Sequence, residues 1–348
     1  MSNSTPSSAS YEPTGQRLPV KTGPLLELEN LSTHYVSSRG TRVVRAVDQV
    51  SLRINAGETL GIVGESGSGK STLALTILRV LPPAARIVGG RMLFEGEDLV
   101  QKSDDEMRHI RGKRIAMILQ DPMASLNPLF TIGDQVGEPI RVHDGASRAT
   151  AWSRAKELLK AVRIPSPETR VTQHPHEMSG GMRQRIVGAI GISCEPRLLI
   201  ADEPTTSLDL TIQAQYLNLL RDLQRQYHLA LIFITHNLGI IAKMCDQLAV
   251  MYAGRVVESG PVSQIFNSPA HPYTEALLNS IPRMTDTAQR LIAIEGQPPD
   301  LAALPPGCSF APRCPRAFER CREAAPPEFT EARGRTARCW LATGSGAA

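Results

Sequence analysis

The chain has 348 residues, 38 Lys and Arg against 34 Asp and Glu, a formal net charge of +4 and 21% charged residues. Such a balance argues against a dedicated nucleic-acid binder, which carries a concentrated basic face. No apolar run approaches the ~18 residues that cross a bilayer, so a soluble protein of the cytoplasm is expected, with one large domain and an appendage.

Residues 1–24 begin with a Ser-, Thr- and Pro-rich stretch. It lacks the hydrophobic segment of a secretory signal, and a disordered tail is expected there. Leu25 to Leu31 and Val44 to Ile54 read as strands. Thr59 to Val63 reads as a buried strand running into Gly64-Glu65-Ser66-Gly67-Ser68-Gly69-Lys70-Ser71-Thr72, and Ser71 to Val80 as the helix that follows. Leu93-Phe94 and Ile115 to Leu119 are further strands around a polar helix from Ser103 to Arg111. From Asp121 to His176, polar residues, prolines and helical spacing (Ala149 to Val162) predict a helical insertion. Ser179-Gly180-Gly181 then precedes a helix from Met182 to Ser193. Strand character returns at Leu198 to Ala201, Leu231 to Ile234 and Leu248 to Tyr252, with helices over Thr211 to Tyr227 and Leu238 to Met244. Alternating strands and helices predict an α/β fold with a mainly parallel sheet. Beyond Gly260 the chain turns Pro-, Arg- and Cys-rich, the composition of a separate small C-terminal region.

Three of these joints carry chemistry. Residues 64 to 71 match the phosphate-loop pattern at every fixed position. Glycines let successive backbone N–H groups turn inward around a phosphate, and the helix start adds its positive dipole. Lys70 would neutralise β- and γ-phosphate charge, and the Ser71 hydroxyl would ligate Mg²⁺. The apolar strand Leu198 to Ala201 delivers Asp202, expected to hold Mg²⁺, and Glu203, expected to orient and deprotonate the attacking water. Ser179 suits a helix cap, with Gly180 and Gly181 leaving N–H groups open to a phosphate. Alone, these are a flexible turn, a solvated strand end and a plain helix start; together they are more.

A phosphate loop, then Ser-Gly-Gly, then an acidic strand end is an order that resembles the ATP-binding cassette (ABC) ATPases. The resemblance implies a RecA-like parallel-sheet core with an antiparallel β subdomain over residues 25–265, and a helical subdomain at about 121–182. It implies that Gln120 contacts Mg²⁺ and the lytic water, that His236 contacts the γ-phosphate, and that Tyr35 stacks on adenine. Ser207-Leu208-Asp209 would cross a dimer interface, and Ser179-Gly180-Gly181 would act on the ATP of a homologous partner, a copy of this chain or a paralogue. Two positions depart from the usual pattern: Asn237 stands where Asp is common, and Met182 where Gln is common.

Ser179-Gly180-Gly181-Met182-Arg183-Gln184-Arg185 is similar to the dipeptide/oligopeptide importer ATPases in particular. So are Gln120-Asp121-Pro122 through Ser125-Leu126-Asn127-Pro128, and Asn267-Ser268-Pro269-Ala270-His271-Pro272-Tyr273-Thr274. That likeness implies an ATP-hydrolysing subunit on the cytoplasmic face of the inner membrane, driving two permease subunits supplied by an extracytoplasmic solute-binding protein, with no nucleic acid bound. The solute stays open among dipeptide, oligopeptide, glutathione and nickel. One rival is an ABC ATPase of nucleic-acid maintenance or translation, which usually carries a long coiled-coil insertion or two cassettes. The other serves iron–sulfur assembly and would leave His271-Pro272-Tyr273 unexplained.

Six cysteines are unevenly spread. Cys194 and Cys245 sit alone in apolar helical patterns and are expected as buried free thiols. Cys308, Cys314, Cys321 and Cys339 fall in the C-terminal region, residues 266–348. They supply enough thiolates for a [4Fe–4S] cluster or an all-cysteine zinc site, though the close pairs of a zinc ribbon are absent. Some members of the resembled subfamily hold a [4Fe–4S] cluster at matching cysteines, and a cluster acting as a structural clasp is the expectation. Spacing alone does not choose the metal.

Overall fold

The computed structural model describes residues 23–38, 40–206, 208–280, 294–330 and 334–342. The tail expected over residues 1–24 lies outside them up to residue 22, and so does Ser207. The chain begins with β1 (Leu26–Val36), β2 (Val43–Ile54), β3 (Thr59–Val63) and α1 (Lys70–Leu78). β4 (Ala85–Phe94), β5 (Glu97–Asp98), α2 (Asp104–Ile110) and β6 (Ile115–Ile118) follow. A helical stretch comes next: α3 (Pro122–Ser125), α4 (Ile132–Asp144), α5 (Arg148–Ala161), α6 (Pro167–Arg170) and α7 (Gly180–Ile192). β7 (Leu198–Asp202), α8 (Leu210–Tyr227), β8 (Ala230–Ile234), α9 (Leu238–Met244), β9 (Gln247–Tyr252) and β10 (Arg255–Pro261) return to the sheet. The last elements are α10 (Val262–Asn267), α11 (Pro272–Asn279), α12 (Glu319–Glu323), β11 (Phe329–Thr330) and β12 (Thr336–Ala337).

Two sheets result. One is antiparallel, in the order β2-β1-β4-β5; the other runs β11-β12-β10-β9-β3-β8-β7-β6. Within the larger sheet β6, β7, β8, β3 and β9 pair in parallel, and β10, β12 and β11 add antiparallel strands. Every residue of β3, β7 and β8 is buried. Continuous apolar runs of this kind need cover on both faces, which parallel connections supply. The period of two divides β7 between two cores. Leu198 and Ile200 join α1 and the antiparallel sheet, whereas Leu199 and Ala201 face the helical stretch and α8.

Some expected boundaries move. β4 extends well before Leu93-Phe94, and β1 runs beyond Leu31 to carry Tyr35 opposite Ala85. Residues 85–91 are half or fully exposed, so they show no apolar alternation; backbone pairing defines that strand. The Pro- and Cys-rich C-terminal segment is joined to the main sheet, with Glu258 of β10 opposite Ala337 of β12. Cys194 and Cys245 are free but half-buried, and each lies just past a helix end. Among the described residues no helix is long and apolar enough to cross a membrane.

Candidate functional site

The carboxyl ends of β3, β6, β7 and β8 lie side by side. In open parallel sheets, ligands bind at this edge beside a reversal of strand order, and β3 sits between the much later strands β8 and β9. β3 releases the Gly64 loop, β7 ends in Asp202 and Glu203, β8 leads to His236, and β6 leads to Gln120.

Two glycines fix the path of the loop. At Gly64 (φ +156°) a Cβ would stand 2.2 Å from the Met251 carbonyl oxygen, and at Gly69 (φ +101°) 2.0 Å from that of Ala46. Any side chain there would push the loop off the sheet. Lys70 is buried, and its Nζ donates to the carbonyls of Gly64 (2.8 Å) and Glu65 (2.9 Å) and more distantly to Ser68 Oγ (3.4 Å). Burial lowers the pKa of its ammonium, opposed by the charges of Glu203, Asp202 and Glu65. Ser66, Gly67 and Ser71 are exposed at the mouth of the loop.

Asp202 is buried, and its Oδ1 has no hydrogen-bond partner. Desolvation raises its carboxyl pKa; a hydrogen bond with Ser71 acts the other way. A dry carboxylate oxygen without a partner, beside a hydroxyl, is a donor set that fits a hard divalent cation. Glu203 sits in the left-handed region (φ +45°), a costly conformation for a residue with a Cβ. Gln120 Nε2 donates to its Oε2 at 3.3 Å, and Thr206 Oγ1 donates to the same oxygen at 2.9 Å. His236 Nδ1 lies 3.4 Å from Oε1. Asn237 accepts from the N–H groups of Gly239 and Ile240, so the residue in the place of the usual Asp serves as a helix cap, a task both do equally well. Tyr35 is half-buried, its hydroxyl 3.4 Å from Thr72 Oγ1.

The start of α7 is arranged differently. Ser179 caps the helix by accepting from Met182 N–H at 3.3 Å. A Cβ on Gly180 would meet nothing within 4 Å, whereas one on Gly181 would crowd Ile212 at 2.9 Å. Among the described residues, no hydrogen bond or ion pair joins residues 179–181 to the phosphate loop. Asp209 is exposed and caps α8 through Thr211 and Ile212 N–H, both at 3.0 Å.

Sequence reasoning missed three partners of these residues. Thr206 braces Glu203. Arg313 grips the Glu65 carboxylate with both terminal nitrogens, at 2.7 and 3.0 Å. Those hydrogen bonds raise its pKa further. Tyr273 accepts from the Glu65 N–H at 2.9 Å. Tyr273 belongs to the His-Pro-Tyr stretch, which marks the importer likeness without naming a contact; a lone Arg313 gives no local signal. Nearby, Cys308, Cys314, Cys321 and Cys339 all line one cavity of about 20 Å³, walled by Phe310, Pro326 and Trp340. That is about one water's room. Among the described residues no three His, Cys, Asp or Glu are grouped to hold a single metal ion. Burial pushes the Cys308 thiol up to about 11 and raises those of Cys314 and Cys339.

Residues 47–206 match the family model described as ABC transporter, and residues 257–321 match that of the oligopeptide/dipeptide transporter C-terminal region. A probable peptide ABC transporter ATP-binding protein of Sinorhizobium fredii is 50% identical, over 91% of this chain and 94% of its own length. The dipeptide transport ATP-binding protein of Bacillus subtilis is 48% identical over 91% and 94%. The oligopeptide transport ATP-binding protein of Haemophilus influenzae is 46% identical over 91% and 97%. Among solved structures, a dimeric ATP-binding cassette in a post-hydrolysis state with ADP and Pi aligns with a TM-score of 0.61 and 26% identity, covering 68% of this chain and 98% of that one.

Proposed function

The chain belongs to the ATP-binding proteins of the ABC transporters and is an ATP hydrolase of that family, and we propose that it powers the import of di- or oligopeptides through a pair of membrane permeases. The carrying observation is a contrast: Lys70, Asp202, Glu203 and His236 converge at one sheet edge, while Ser179, Gly180 and Gly181 stay open. This is the arrangement of half a composite site, completed by a homologous cassette placed head to tail.

In this reading Lys70 leaves the carbonyls of Gly64 and Glu65 for the β- and γ-phosphates. The backbone from Ser66 to Thr72 surrounds the phosphates, and Tyr35 stacks on adenine. Ser71, Asp202 and Gln120 would hold Mg²⁺, which supplies charge neutralisation to the phosphates. Glu203, aimed by Gln120, Thr206 and His236, accepts the proton of the attacking water. His236 reaches the γ-phosphate. The partner's equivalent of Ser179-Gly180-Gly181 closes over the nucleotide, and the loop ending at Asp209 lies beside the interface. Leu119, Leu129 and Phe130 are exposed apolar residues around the helical insertion. They would meet cytoplasmic loops of the permeases at the inner face of the membrane, so that dimer closure drives alternating access. The boundaries that suit this division are 25–265 for the cassette, with its helical part at about 121–182, and 266–348 for the C-terminal region. The match over residues 257–321 favours an importer over nucleic-acid maintenance or iron–sulfur assembly.

Glu203→Gln should bind ATP, accumulate the closed dimer and lose hydrolysis by about 100-fold or more; near-normal turnover would remove Glu203 as the base. Identifying the permeases and binding protein that co-purify, and what that binding protein binds, would settle the solute.

We also propose a [4Fe–4S] cluster as a clasp at Cys308, Cys314, Cys321 and Cys339. Four thiols around one small cavity support it; the narrowness of that cavity means the walls must part to admit a cluster. Iron and sulfide analysis after anaerobic purification decides this, and a colourless, iron-free protein sinks it.

A further inference from the structure

We propose that Arg313 and Tyr273 are positioning residues for the phosphate loop, holding Glu65, and through it Lys70, in the geometry that receives ATP. This rests on reading residues 64–72 as that loop. Glu65 is held at three points. Its N–H donates to Tyr273 Oη, its carboxylate takes the Arg313 fork, and its carbonyl receives the Lys70 ammonium. A shift of this one residue would therefore move the resting partner of the loop's only lysine.

The holder is itself rigid. The Arg313 side chain is 4% exposed, and all five of its N–H donors have acceptors. Nη1 donates to Glu65 Oε2 and to Tyr252 Oη (3.3 Å), and Nη2 to Glu65 Oε1 and to the Ile294 carbonyl (3.2 Å). Nε donates to the Glu295 carbonyl at 2.9 Å. Only a planar guanidinium can fill that set; a lysine ammonium has three donors and no fork. Tyr273 is clamped by rings, with its centroid 4.5 Å from that of Tyr252 and 5.4 Å from that of Phe310. The segment bearing Arg313 continues directly into Cys314, so the walls of the four-cysteine cavity and the grip on the nucleotide loop share one stretch of backbone.

The test compares Mg·ATP affinity, KM and kcat in the full-length protein and its variants. Arg313→Lys should weaken ATP binding and raise KM about tenfold. Tyr273→Phe, which keeps the ring, should do so about threefold, and kcat should change less than KM in both. Combining Arg313→Lys with Glu65→Gln should add nothing beyond the larger single effect. A role in folding alone would lower the melting temperature and leave affinity untouched. Unchanged affinity in both variants, or additive effects in the double variant, overturns the proposal. If Arg313→Lys does not fold, Tyr273→Phe decides alone, and wild-type affinity there overturns it. Lys70→Ala separates the two readings. If it binds ATP normally, the phosphate-loop reading fails; if it loses ATP while Arg313→Lys and Tyr273→Phe do not, only the positioning role fails.

Discussion

The phosphate loop and the start of α7 are both glycine-rich helix openings, yet the fold treats them in opposite ways. Around the loop the charged side chains have intrachain partners: Lys70 rests on two carbonyls, Glu65 is held at three points, and Glu203 is braced by Gln120, Thr206 and His236. At α7, Ser179 makes one capping bond and Gly180 faces open space. Gly180 leaves the first turn of α7 open, and helix N–H groups there suit an anion that the same chain does not bring to them. In the function proposed above, the first region is finished by its own chain and the second is completed by a partner cassette.

The largest effect should come from breaking that second region while sparing the first. Gly180→Asp, which sets a negative charge where the γ-phosphate would dock, should cut hydrolysis by about 100-fold or more, with ATP affinity of the separate chain close to wild type. Equal loss of affinity would mean the two openings are not divided between subunits. A mixture of Lys70→Ala and Gly180→Asp chains sharpens the point. If the chain pairs with itself, half the dimers hold one intact composite site, and about a quarter of wild-type turnover should return. No recovery would point to a paralogous partner.

Smaller effects follow from the charges inside the finished region. Desolvation raises the Asp202 carboxyl above its unfolded value, so its contribution to stability falls as pH rises through the window between the two. Asp202→Asn should therefore raise the melting temperature of the nucleotide-free protein by about 2 °C, and thermal scans with and without Mg²⁺ should show that ATP no longer gains from the ion. Smallest at neutral pH is the effect of His271, which is buried and lowered to about 3 by desolvation, with Arg316 adding to it. Between pH 6.5 and about 3 the unfolded chain binds the proton and the folded chain does not, so stability is lost as pH falls through that range. His271→Asn should flatten the acid limb of the stability curve.

Much of this was legible in the sequence because the chemistry is local. A phosphate loop needs its glycines, Lys70 and Ser71 contiguous, and β7 is apolar up to Asp202, the residue proposed to hold the ion. Helix ends were equally readable at Ser103, whose side chain and Glu106 form a reciprocal cap. What escaped was non-local. Arg313 and Glu65 pair across 248 positions, and no pattern in either neighbourhood announces the other. The full extent of β4 escaped for a different reason, since an exposed strand held by backbone pairing leaves no mark in side-chain polarity.

That long pairing has a consequence for how the molecule is made. When Glu65 is joined to the growing chain, Arg313 is still 248 residues from being added, a wait of roughly 12 to 50 s at ordinary rates of synthesis. Through that interval the nascent cassette holds the whole phosphate-loop motif without the guanidinium that steadies it. A product released early would keep Lys70, Asp202, Glu203 and the Ser179 helix and still lack that brace. If Arg313 positions the loop as proposed, a chain that stops before residue 313 binds nucleotide less tightly than the full-length molecule.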